Sequence, residues 1–92
     1  MVKILKFSAV WCGPCKLFAK TFHDLQEEEE FKDDVFLEID VDNDEEELSV
    51  RYGVRSVPTT IVVDPDNGDL LGRMVGNVDK KTAKETLLGF KK

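Results

Sequence analysis

Val10-Trp11-Cys12-Gly13-Pro14-Cys15-Lys16 contains both cysteines of the chain and lies between a short apolar run, Ile4 to Ala9, and a helical pattern. Two thiols with two residues between them at the start of a helix can close a small disulfide ring and reopen it. At a helix start several backbone N–H groups lack partners and the macrodipole is positive, so a thiolate there is stabilised below the free thiol pKa of about 8.5. Cys12 stands at that position, and Cys15, one turn further in, does not. Gly13 suits a tight backbone turn, and Pro14 suits a first helical turn, where its missing N–H costs nothing. A zinc or iron–sulfur site needs about four ligands. The chain offers two cysteines and His23 at no recognisable spacing, so only an intersubunit site would rescue metal binding. A ring this small removes little chain entropy, so its use is reactivity rather than stapling.

Outward from the cysteines, the chain alternates strand and helix. Ile4-Leu5-Lys6-Phe7-Ser8-Ala9 reads as a buried parallel strand with Lys6 as its anomaly. Phe18, Phe22 and Leu25 recur at helical spacing with Leu17 beside them, and the pattern fades into Glu27-Glu28-Glu29-Glu30. His23 falls on this helix as a surface or partly buried residue with no paired acid. Val35 to Val41 reads as a second strand with its acids on one parity. Asp44 and Glu47 have the spacing of a capping box for a short helix carrying Leu48 and Tyr52 and closed by Gly53. Ile61-Val62-Val63, the turn Asp64-Pro65-Asp66-Asn67-Gly68, and Leu70 to Val75 form a hairpin. Asp79 caps a last helix with the stripe Ala83, Leu87 and Phe90 and with Lys91 and Lys92 at its C-terminal end.

The order is βαβαββα, in which a right-handed parallel crossover joins the first two strands. Ninety-two residues make one domain, 1–92, with a modest core. An apolar fraction of 41% and a charged fraction of 35% argue against disorder and against a membrane span. A net charge of −6 argues against nonspecific nucleic-acid binding. The acidic runs 27–30 and 44–47 read as solvated helix ends, with a docking patch for a basic partner as the other reading. No secretory signal precedes the first strand, so the chain reads as cytoplasmic, where a vicinal thiol pair is catalytic rather than structural.

Trp11-Cys12-Gly13-Pro14-Cys15-Lys16 resembles the active-site signature of the thioredoxin family, and Val57-Pro58-Thr59 resembles a second family element. The order of elements is similar to the minimal thioredoxin fold, an α/β architecture whose four-stranded mixed sheet carries two helices on one face and one on the other. Larger thioredoxins add an N-terminal strand and helix, so the resemblance to the minimal fold implies a sheet-edge position for the strand Val35 to Val41. The length is closer to glutaredoxins, but those usually carry Pro-Tyr between the cysteines.

The resemblance implies a protein-disulfide reductase working through a Cys12/Cys15 dithiol–disulfide cycle. It implies no cofactor, disulfide-containing protein substrates, a thioredoxin reductase-type electron donor and a monomer. Trp11, Gly13, Pro14, Val57, Pro58, Val75 and Gly76 then match the shallow surface around the reactive sulfur, with Pro58 in a cis peptide bond, which only X-Pro bonds adopt cheaply. The family's buried aspartate, six positions before the first cysteine, is Lys6 here, and its lysine partner falls on Glu38. The pair is exchanged in sign, with Glu38 expected to accept the Cys15 proton and Lys6 to tune it. For Lys6 a stem extended to the surface, and for Val57 and Val75 ordinary core packing, are the plainer readings. Two competing functions are a glutathione-linked glutaredoxin and a thioredoxin-fold adaptor or accessory subunit whose thiols are incidental.

Overall fold

The computed structural model describes residues 1–91. Lys92, expected at the end of the last helix, lies outside the described residues. Four strands, β1 (Lys3–Ser8), β2 (Val35–Asp40), β3 (Thr59–Val63) and β4 (Leu70–Val75), form one sheet in the order β2-β1-β3-β4. β1 runs parallel to β2 and antiparallel to β3, and β3 runs antiparallel to β4. β2 is therefore at an edge, as the resemblance implies.

Alternation along the central strands sorts their side chains onto two faces. Ile4 and Val62 meet Phe18, Phe22 and Leu25 of α1 (Gly13–Gln26) and Ala83 and Leu87 of α3 (Lys80–Phe90). Leu5, Phe7, Ile61 and Val63 meet Leu48 of α2 (Leu48–Arg51), followed by Tyr52. Two helices thus cover one face and one short helix the other. Phe31, from a single 3-10 turn at Glu29–Phe31, adds a fully buried ring that packs edge-on against Phe36.

Several local expectations change in detail. β2 stops at Asp40, and Val41–Asn43 form a 3-10 turn. The capping box does not form. Glu47 takes a left-handed conformation (φ 53°), so the helix starts only at Leu48. The Asp44 carboxylate reaches it from outside, accepting the Leu48 and Ser49 N–H groups. Asp79 does cap α3, accepting the Thr82 N–H at 2.8 Å. The acidic run after α1 is not merely solvated. Glu28 pairs with Lys80 and Lys84, and Glu30 with Lys84, clamping the end of α1 to α3. Those bonds, to Glu30 first and then Glu28, hold the Lys84 ammonium above its ordinary pKa. Leu17 faces solvent rather than the core.

Candidate functional site

The tight turn between β1 and α1 is made by Val10 and Trp11, where the Cys12 N–H donates to the Ala9 carbonyl at 3.1 Å. Gly13 is then the first residue of the helix, exposed, with room for a Cβ, so the turn does not depend on it. Pro14 sits in the first turn, where no N–H is needed. Cys12 and Cys15 are joined as a disulfide with their Cα atoms 5.3 Å apart. Both are nearly buried, Cys12 at 4% and Cys15 at 3%, so accessibility does not separate them. Hydrogen bonding does. Cys12 is the N-cap residue, and its Sγ accepts the Cys15 backbone N–H at 3.1 Å.

Val57-Pro58 is the cis peptide bond of the chain's described part, and it sets the Val57 carbonyl oxygen 3.7 Å from Cys12 Sγ. The Gly76 N–H donates to the Pro58 carbonyl at 2.8 Å, which brings the end of β4 alongside the cysteines. Gly76 holds φ at 91°, a conformation a side chain would strain. Val57 is half-buried and Val75 is 58% exposed, so Val75 is not core. Trp11 is 68% exposed, yet its indole N–H donates to Asp42 at 2.8 Å, which fixes the ring beside the disulfide. Trp11, Val41, Val54, Arg55 and Val57 line a groove of about 220 Å³ on that side.

On the other side of the helix start, a cleft of about 410 Å³ runs from Cys15 past Ser8 and Asp40 to Lys6 and Glu38. Lys6 and Glu38 are direct partners in the β1–β2 register, and Lys6 Nζ lies 2.9 Å from Glu38 Oε1. Lys6 does not reach the surface. Its side chain is 4% exposed with the ammonium 5.2 Å from the centre of the Phe22 ring, whereas Glu38 is 53% exposed. His23 is exposed on α1, away from this arrangement. Among the described residues, no group of three or more His, Cys, Asp or Glu side chains is placed to hold a metal ion. No described helix is long and apolar enough to cross a membrane.

The sequence reading missed Asp42 as the residue that holds Trp11, and it missed Asp40 in the Cys15 cleft. Both share the parity of Glu38, Asp40 as the last residue of a strand parallel to β1 and Asp42 just past its end. That parity was the available signal, because parallel neighbours finish at the same end of a sheet.

A dithiol at a helix start, facing a cis-proline turn, is built for thiol–disulfide exchange, and the comparisons agree. The family model described as Thioredoxin matches residues 2–88. The chain belongs to the thioredoxin family. It is 34% identical over 84 residues to a thioredoxin of Mycoplasmoides gallisepticum, covering 91% of this chain and 79% of the relative. A Staphylococcus epidermidis thioredoxin is 36% identical over 86 residues, covering 94% and 79%. The solved structure of Malassezia sympodialis thioredoxin superposes with a TM-score of 0.82 at 26% identity, covering 97% of this chain and 75% of that one. The protein is accordingly a thiol–disulfide oxidoreductase, a protein-disulfide reductase of the thioredoxin type. Nothing in these matches favours a glutathione-linked enzyme or a redox-silent adaptor.

Proposed function

We propose that Cys12 is the attacking sulfur and Cys15 the resolving one, with Glu38 as the proton acceptor for Cys15 and Lys6 as the residue that positions it. The observation that carries this reading is the Cys15 N–H aimed at Cys12 Sγ at the N-terminus of α1. In the reduced protein that donor and the helix dipole favour the Cys12 thiolate. The thiolate attacks one sulfur of a target disulfide, forming a Cys12–target bond and expelling the other target sulfur as thiolate. Cys15 then gives its proton to the Glu38 carboxylate across the shared cleft and attacks Cys12, breaking the mixed disulfide. The second target sulfur leaves as thiolate and takes up a proton. Two electrons have passed from the dithiol to the target, and the protein is left in the oxidised form seen here.

Trp11, Gly13, Pro14, Val57, Pro58, Val75 and Gly76 form the target-binding surface in this reading. The exposed Trp11 and Val75 supply apolar contact, and the Val57 backbone supplies strand-like pairing. The proposed setting is a reducing cytoplasm, with disulfide-bearing proteins as targets and a thioredoxin reductase-type donor restoring the thiols.

The test separates the two steps by stopped flow. Cys12→Ser should abolish target reduction, and Cys15→Ser should accumulate a stable mixed disulfide through Cys12. Glu38→Gln should slow release of the mixed disulfide near neutral pH while leaving the first attack nearly unchanged. Faster alkylation of Cys15 than of Cys12 at neutral pH would reverse the thiol roles, and an unaltered second step in Glu38→Gln would remove Glu38 from the mechanism.

A further inference from the structure

β2 pairs with β1 along its length, and among the described residues no strand lies on its other side. The Val35 N–H donates to the Val2 carbonyl on the β1 side. Because successive residues point their backbone groups to opposite sides, the N–H and C=O groups of Phe36, Glu38 and Asp40 face outward from the sheet. This open edge lies between two grooves. On the α1 side is the cleft of about 410 Å³ that Glu38 and Asp40 help to line. On the α2 side is a groove of about 440 Å³ with Leu37 and Leu48 in its lining and Asp44, Glu45 and Glu46 along its rim. Leu37 is 40% exposed there.

An open strand edge is a template for another strand, and charge on the edge decides which strand is admitted. A second copy of this chain would bring the same carboxylates and a further net charge of −6 against Glu38 and Asp40, so self-pairing is opposed. A basic strand is complementary. Lys6 engages Oε1 of Glu38, which leaves a half-exposed carboxylate with a second oxygen able to accept another cation.

We propose that the free edge of β2 is a docking strip for an extended segment of a partner protein in which basic and aliphatic residues alternate. The segment adds as a fifth strand through the outward backbone groups of Phe36 and Glu38. Its Lys or Arg side chains lie toward Glu38 and Asp40, and its aliphatic side chains lie over Leu37 and Leu48. The strip does not use Trp11, Val57 or Pro58, so a partner held there leaves the target-binding surface free, while its cation on Glu38 occupies the carboxylate assigned above to the Cys15 proton.

The test uses the oxidised full chain and a fluorescein-labelled peptide of alternating lysine and valine. Two controls accompany it: the same peptide with glutamate for lysine, and the lysine peptide N-methylated at alternate amides, which keeps its charge but cannot pair as a strand. At low salt the lysine peptide should bind about tenfold or more tighter than either control by fluorescence anisotropy. Amide hydrogen exchange at Phe36 and Glu38 should slow on binding, and Asp40→Asn should weaken binding of the lysine peptide several-fold. Equal affinity for the N-methylated peptide would reduce the effect to charge and overturn the proposal. So would protection appearing at residues 57–59 and 75–76 instead of β2, or a sedimentation result showing that the edge is already occupied in a dimer.

Discussion

Replacing either member of the Lys6–Glu38 pair removes one ion pair, yet the two replacements should have opposite character. Unit charges 2.9 Å apart attract by about 6 kcal/mol at an effective dielectric of about 20 and by about 1.4 kcal/mol in bulk water. Glu38 is half in solvent, so screening pulls the net contribution toward the lower figure. Glu38→Gln removes the counter-charge of a buried ammonium, leaving it a neutral amide acceptor and the Phe22 ring 5.2 Å away, and it should cost about 1–2 kcal/mol. For a domain of this size that is a fall in Tm of roughly 5–15 °C. Lys6→Met takes the buried charge away, keeps an apolar stem of similar volume beside Phe22, and leaves Glu38 free to be hydrated. It should fall within about 1 kcal/mol of the parent, on either side. Urea denaturation of the oxidised protein measures both, with the double variant closing the cycle. Equal losses from the two single variants, or a neutral Glu38→Gln beside a costly Lys6→Met, would refute the reasoning that burial of Lys6 sets the asymmetry.

Three further outcomes can be checked. A Cβ at Gly72 would overlap the Phe90 ring, so Gly72→Ala should lower the urea midpoint by an amount equivalent to about 1–3 kcal/mol at an unchanged denaturant slope. Asp42→Ala frees the Trp11 indole from its 2.8 Å hydrogen bond. It should raise KM for a protein disulfide roughly two- to tenfold, with little change in the rate on a small disulfide, as steady-state assays would read. The Asp44 carboxylate is held below its ordinary value of 3.8, first by the Ser49 backbone N–H and then by the Ser49 hydroxyl and the Leu48 N–H. A lowered folded-state pKa contributes stability that is present above 3.8 and lost as pH falls through the folded value. Acid titration of unfolding should therefore be shallower in Asp44→Asn in that window.

The parts of the fold that depend on nearest neighbours were legible in the chain. Alternation in Val35 to Val41 and the turn residues 64–68 gave strands close to those observed, and the exchanged pair that the family resemblance implies, Lys6 and Glu38, stands in register. The interactions that depend on where distant segments meet were not. No local pattern tells that Glu28 and Glu30 will face Lys84, because that contact needs the angle between α1 and α3. The Asp44–Glu47 spacing looks like a capping box until Glu47 adopts a left-handed backbone and shifts the helix start past it. At the site, the cysteines, Trp11 and Pro58 carried their own signature in the sequence. Asp42 acquires its role only from the parallel pairing that ends β1 and β2 side by side.

Asp34 accepts the Val2 N–H on one oxygen at 2.8 Å and pairs with Lys91 through the other at 2.6 Å. A single carboxylate thus ties the beginning of β1 to the last turn of α3. Six residues of β1 separate this knot from the cysteine turn, a span of about 20 Å along the strand. The two extremities of the described chain consequently share one pole of the molecule while the reactive sulfurs occupy the other. A linker, an immobilising surface or a fused domain attached at either extremity would leave the opposite pole facing outward. The protein could then be tethered by one end and still present its disulfide to a passing target.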